Sequence, residues 1–212
     1  MTTHMPEAAT RIAYSTAFLQ PHLFDDKYAG LERRVFEFHA KHGFDRGVAL
    51  RTWGGAGSAV ADKVRDAAES LERRSKELLV VAKHEADINE RAKLDGASAP
   101  RRDLLALRAH LILEEVAELL FALANCDEVG VLDGAADSAY VIAGACVAAG
   151  LPLSRAVAEV CDSNDTKQVK VPGDLRLRTK GASYKAPNLE ALLREHSIVV
   201  TDLAKVMEGD QQ

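Results

Sequence analysis

The sequence predicts an all-α protein. Three observations carry this. The chain is rich in Ala, Leu, Val, Arg and Glu and holds only 5% aromatic residues and six prolines, a composition that favours helices over strands. Its apolar residues recur at helical spacing over long stretches, and no pair of alternating apolar runs marks a hairpin. Glycine and proline gather at a few places, "TWGGAGS", "DGASAP" and "AGLP", where they punctuate helices rather than interrupt them.

Taken in order, residues 1–25 show no sustained period and read as an N-terminal arm, ahead of the main domain over 26–196 and a tail over 197–212. Tyr28 to His42 carries Leu31, Val35 and Phe38 at helical spacing, with Gly43 as its C-cap. "TWGGAGS" is a loop that ends on Ser58 as an N-cap. A long charged helix, or a hairpin broken in the 80s, follows over Ala59–Leu94, with Val60, Val64, Ala67, Leu71, Leu78, Val81 and Ile88 as its apolar stripe. Gly96 and Pro100 close it. Asp103 is placed to N-cap the next helix, which runs through Ala124. "NCDEVG" turns the chain. A third long helix spans Asp133–Ala149 and stops at Gly150, and a fourth covers Leu153 to Asp162. A last short helix starts at Asn188.

The net charge of −5 argues against a nucleic-acid polymer as partner, since such a binder carries a basic excess. Cys126, Cys146 and Cys161 lie too far apart for a zinc or redox pair and read as small hydrophobes. No uninterrupted apolar run reaches the ~18 residues of a membrane span and the first residues lack a leader pattern, so a cytoplasmic protein without a membrane partner is expected.

The chemistry gathers in "HLILEEVAELLFAL". At about 100° per residue, Glu114, Glu115 and Glu118 share one arc of an otherwise apolar helix. From Asp103 through Thr166 there are eleven acids and two bases, Arg108 and Arg155, and no lysine. Solvated helix faces interleave lysine with glutamate, whereas clustered carboxylates repel unless a cation sits among them. Asp133 and Asp137 supply carboxylates from the following helix. Inward-facing carboxylates at one level of two antiparallel helices make an oxygen-only site, suited to Mg²⁺ or Mn²⁺ rather than zinc. The next block inverts the sign: Lys167, Lys170, Arg176, Arg178, Lys180 and Lys185 stand against the single acid Asp174. A metal site followed by lysines is what a polyphosphate needs, although a solvated basic tail would look the same.

Four ordered pieces of this sequence resemble the MazG-like all-α nucleotide pyrophosphohydrolases, which include the phosphoribosyl-ATP pyrophosphohydrolase-like group. "EEVAE" is similar to the family's EExxE. "DGAADSAYVIAGACVAAGLPL" resembles its second acidic helix, "AEVCDSNDTK" its EVxxSNMSK segment, and "KGASYKAPNLEALL" its closing KGxxYxxPxLE; "FEFHAKHG" is a weaker echo of its first helix. Two positions depart from the pattern. Gly134 stands where many relatives carry glutamate, with Asp133 beside it, and Asp165 stands where methionine is common. The segment at about 55–98 has no counterpart in compact members and reads as an insertion.

The resemblance implies a helical bundle that hydrolyses a nucleoside triphosphate to its monophosphate and pyrophosphate. It assigns catalysis to Glu114, Glu115, Glu118 and Asp137, and Mg²⁺ to the same four residues with Asp133. Asn164, Lys167, Lys180 and Tyr184 would bind substrate within a basic closing segment at about 166–187. Arg108 reads as a structural partner of Glu115. A homo-oligomer, dimer or tetramer, is the expected assembly. Phosphoribosyl-ATP as substrate is the alternative within the enzyme class, and a non-catalytic helical interaction module the alternative outside it.

Overall fold

The computed structural model describes residues 30–42, 49–53, 55–97, 100–168 and 180–197. The arm over 1–25, the Gly43 cap, most of the 197–212 tail, and Lys170, Asp174, Arg176 and Arg178 lie outside them. Among the described residues there are helices and no strand: α1 (Gly30–His42), a 3-10 turn (Leu50–Thr52), α2 (Ala59–Leu94), α3 (Arg102–Asn125), α4 (Glu128–Ala148), α5 (Leu153–Asp165) and a further helical stretch over 189–197. The chain divides into two compact units, residues 49–150 and the remainder.

In the 49–150 unit, Ser58 caps α2 by accepting from the Ala61 N–H at 3.1 Å. The helix then runs unbroken for 36 residues, about 54 Å, so the hairpin alternative is not what forms. The residues it buries are Ala61, Ala68, Ser75, Ala82 and Asn89, seven apart and one position on from much of the apolar stripe expected from sequence. Val60, Val81 and Ile88 of that stripe are 66%, 46% and 40% exposed. The reason is steric: two helices that approach closely admit only small side chains at the centre of the contact, and the larger ones are displaced to its flanks. α3 answers with Ala106, His110, Ala117 and Ala124. The Asn89 amide donates to Asp103 at 2.6 Å at one end of this antiparallel pair, and Ser75 meets His110 at its middle. Thus α2, read from sequence as an insertion, lies along α3 as its packing partner.

Asp103 is not the cap of α3. The helix begins at Arg102, and Asp103 sits inside its first turn, where Arg101 grips it at 3.0 and 3.1 Å and holds its carboxyl below the usual carboxylate range. Cys126 ends α3 in the left-handed region at φ 55°. Asp127 then caps α4 by accepting from the Gly130 N–H at 3.0 Å, so α4 starts five residues before the expected Asp133. The α3–α4 contact is close. A Cβ at Gly134 would lie 2.9 Å from the Leu119 backbone, one at Gly130 would lie 3.0 Å from the Ala122 Cβ, and one at Gly144 would meet the Arg108 guanidinium at 3.0 Å. These pairs fix an antiparallel register that sets Glu115 opposite Asp137. The opposite face of α4 leaves Val129, Leu132, Tyr140 and Val147 exposed, and by length and composition alone α4 could cross a membrane. Among the cysteines only Cys161 is buried; Cys126 and Cys146 are half-buried and all three are free thiols.

In the other unit, α1 packs on α5. Arg34 pairs with Asp162 at 2.6 Å and Asp165 at 2.7 Å, which raises the guanidinium pKa further, and Lys41 donates to the Asp165 carbonyl at 2.7 Å. Asp165 therefore ties α5 to α1. His42 is buried with its ring 4.2 Å from that of Phe38, and burial holds its imidazole below the ordinary pKa. Asn188 caps the 189–197 stretch by accepting from the Ala191 N–H at 3.1 Å and itself donates to Glu159 at 2.7 Å.

Candidate functional site

The register sets Glu115 on the α4 side of α3, opposite Asp137, with Glu118, Glu114 and Asp133 near enough for their charges to act on it. The close approach at Gly134 makes this possible: where its Cβ would be, the Leu119 backbone already stands, and a glutamate side chain there would force the helices apart. What the sequence loses as a ligand at position 134 it gains as proximity between the two acidic helices.

The five carboxylates act on one another. Burial pushes the Glu115 carboxyl above its ordinary value, and the charges of Glu118, Asp137, Glu114 and Asp133, in decreasing order, push it in the same direction. Glu115 is the focus of the patch. Arg108 does not offset them as expected: its guanidinium lies against Gly144, its Nε is buried without a hydrogen-bond partner, and no described ion pair joins it to Glu115.

The patch is more open than an interior cage. Glu114 and Glu115 are half-buried, whereas Glu118, Asp133 and Asp137 are exposed, because α4 packs chiefly on α3 and leaves the groove's outer side uncovered. Among the described residues no three His, Cys, Asp or Glu side chains gather closely enough to hold a metal ion. The donor set is all oxygen and hard, which suits a divalent cation of the Mg²⁺ type. It is the charge at Glu115 that such an ion would relieve.

On the side of the patch toward α2, His110 is buried and its Nε2 stands 3.6 Å from Glu114 Oε2. Sequence reasoning gave this residue no role. Its only signal was position, four residues before the first glutamate and therefore one helical turn away.

The expected substrate-binding residues come together in the other unit. Lys167, buried although charged, bonds the Asn164 side chain from the end of α5. Lys180 stands 4.9 Å from the centre of the Tyr184 ring, within cation–π range. The Ser163 hydroxyl, hydrogen-bonded to the Tyr184 phenol, holds that phenol below its ordinary pKa, and the charges of Lys180 and Lys167 act in the same direction. The segment is anchored by Thr166, whose hydroxyl accepts from the Lys185 N–H at 2.9 Å. The carboxylates thus lie in one unit, and the cations with a phenol and an amide lie in the other.

Comparison with known proteins bears on this arrangement. Residues 81–164 match the family model of phosphoribosyl-ATP pyrophosphohydrolase, from the second half of α2 to the penultimate residue of α5. No curated protein and no solved structure gives a significant match. The matched span holds all five carboxylates and Asn164. The match covers less than half of the chain, and it marks that span as similar to a pyrophosphohydrolase.

Proposed function

We propose that the protein is a Mg²⁺-dependent nucleoside triphosphate pyrophosphohydrolase that converts a (d)NTP and water to the monophosphate and pyrophosphate. The observation that supports it most is the Glu115 carboxyl, which burial first and then four surrounding carboxylates push above its ordinary value. A site of that charge binds protons or divalent cations, and at neutral pH the cation is the effective competitor.

Glu115, Glu118 and Asp137 would hold the ion, with Glu114 and Asp133 completing the donor set. When bound, Mg²⁺ neutralises phosphate charge and polarises a phosphoryl oxygen. In the hydrolysis the water oxygen bonds to the α-phosphorus as the bond from that phosphorus to the bridging oxygen breaks, and the electron pair leaves with pyrophosphate. The proton of the water goes to a carboxylate, a role that suits Glu114 at the His110 end of the patch. Asn164, Lys167, Lys180 and Tyr184 bind the ribose and phosphates: ammonium groups neutralise the polyphosphate, and the amide and phenol provide hydrogen bonds that orient it.

A second reading is favoured by the matched family itself, namely phosphoribosyl-ATP as substrate. Both reactions release pyrophosphate and differ in the nucleotide left behind. The test is a panel of NTPs, dNTPs and phosphoribosyl-ATP with identification of both products, with and without Mg²⁺. Pyrophosphate release from an NTP or dNTP that requires Mg²⁺ supports the proposal. Turnover of phosphoribosyl-ATP alone selects the second reading. Orthophosphate as the product, or no hydrolysis of any nucleotide, sinks both.

A further inference from the structure

Along the contact between α2 and α3, the central residues of α2 are alanines at positions 61, 68 and 82, and at position 75 a serine. Alanine is evidently sufficient to close the contact. The Ser75 hydroxyl is 2% exposed and faces a histidine that is 6% exposed. Its oxygen lies 2.6 Å from His110 Nδ1 and 3.1 Å from the His110 carbonyl oxygen. A polar pair in such a seam costs desolvation that two methyl groups would not.

The pair has a direction. The Ser75 hydroxyl carries one proton and has two acceptors in reach. If it donates to the carbonyl, Nδ1–H donates to the hydroxyl oxygen and the bare lone pair of Nε2 faces the Glu114 carboxylate at 3.6 Å, oxygen against nitrogen lone pair. If it donates to Nδ1, the proton of the neutral ring sits on Nε2 and points at that carboxylate. The His110 carbonyl needs no help from serine, since within an α-helix it already accepts from the N–H four residues on. The second arrangement therefore satisfies more groups. At 3.6 Å the Nε2–Oε2 contact is longer than a hydrogen bond, and such contacts tighten when a site is occupied.

We infer that His110, fixed in its Nε2–H tautomer by Ser75, is a positioning residue that holds the Glu114 carboxylate in a single orientation for its part in hydrolysis; this rests on the acidic patch being the hydrolytic site. The role is that of the outer partner which orients a charged group in contact with substrate or metal. Ser75 and His110 reach the patch from the side away from α4, so they act through Glu114 and not on the nucleotide.

Two measurements test it. The first is the imidazole ¹H–¹⁵N spectrum of the full-length protein without nucleotide or metal, with His110 assigned through His110→Gln. Protonated Nε2 and unprotonated Nδ1 are expected in the unsubstituted protein, and a mixture of tautomers in Ser75→Ala. A proton on Nδ1, or on both nitrogens, overturns the inference. The second is steady-state kinetics. Ser75→Ala should lower kcat about tenfold and His110→Leu roughly 10- to 100-fold, with KM changed less than about twofold. His110→Gln, whose amide can still donate toward Glu114, should recover most of kcat. Ser75→Ala places at position 75 the residue α2 already uses at 61, 68 and 82, so it serves as the variant that keeps the fold if His110→Leu does not. Unchanged kcat and tautomer in Ser75→Ala sink the inference. A protein with the expected tautomer that hydrolyses no nucleotide sinks the proposed function instead, and the assigned purpose of His110 with it.

Discussion

The two long faces of α3 follow opposite rules. The face toward α2 is built from Ala106, His110, Ala117 and Ala124 against Ala61, Ala68, Ser75 and Ala82, and its polar pairs, Ser75 with His110 and Asn89 with Asp103, carry hydrogen bonds. The face toward α4 is equally close at Gly134 and Gly130, yet it gathers Glu115 with carboxylates that raise its proton affinity. Close packing serves stability on the first face. On the second it holds like charges near one another, at a cost that only a proton or a cation relieves. One helix therefore separates the work of holding the fold from the work of chemistry.

If that division is right, substitutions on the two faces should change different observables. The largest effect is expected from Glu118→Gln, which should reduce nucleotide hydrolysis at least about 100-fold while its Tm stays equal or rises, because one repelling charge is gone. A fall in Tm matching the fall in activity would erase the distinction between the faces.

Adding bulk should give the opposite signature. Ala82→Leu on the α2 side, and Gly134→Glu on the α4 side, should each cost about 1–3 kcal/mol by overpacking, read as a lower urea midpoint. For Gly134→Glu the added carboxylate should not improve activity, since its Cβ would meet the Leu119 backbone at 2.9 Å. Improved activity at unchanged stability would mean the helices tolerate a wider seam.

A smaller, pH-dependent effect belongs to the acidic face alone. The folded-state pKa of Glu115 lies above its ordinary 4.5, so its contribution to stability is fully present below about that pH and is lost as pH rises through the raised value. Comparing Tm for the metal-free protein and Glu115→Gln between pH 4 and 8, the variant should gain on the parent toward neutrality. Millimolar Mg²⁺ should raise the parent Tm and not the variant's, closing the gap by ligand linkage. A gap that does not change with pH would show that Glu115 is indifferent to its neighbours. Smallest of all, Val81→Ser, beside Ala82 but 46% exposed, should stay within about 0.5 kcal/mol of the parent.

Much of the chain was legible before any coordinates. Helix ends written in local chemistry came through: Ser58 and Asn188 cap by their own side chains, and Gly96 and Gly150 take the positive φ that ends a helix. Where the cap lay nearly two turns further off, as with Asp127 ahead of α4, the start was misplaced, since Asp127 and Asp133 offer the same side chain. The α2 stripe was misread for a different reason. Hydrophobicity points to Val60, Val81 and Ile88, whereas burial at a tight helix contact is decided by size, and selects the alanines one residue on. For the site, charge imbalance alone marked Glu114, Glu115, Glu118, Asp133 and Asp137. His110 carried no such mark, because a single histidine in an apolar run is as readily a packed core residue as an oriented one.

The sequence by itself determined the helical class, the order of the helices and the excess of negative charge along α3 and α4, since these follow from periodicity, capping chemistry and composition, all local properties of the chain. Only the tertiary structure decided which carboxylates act on Glu115, that α3 and α4 approach closely at Gly134, and that Ser75 reaches His110 across 35 positions. Those depend on the register between helices, which is fixed by the fit of small side chains and backbones at contacts no local pattern specifies.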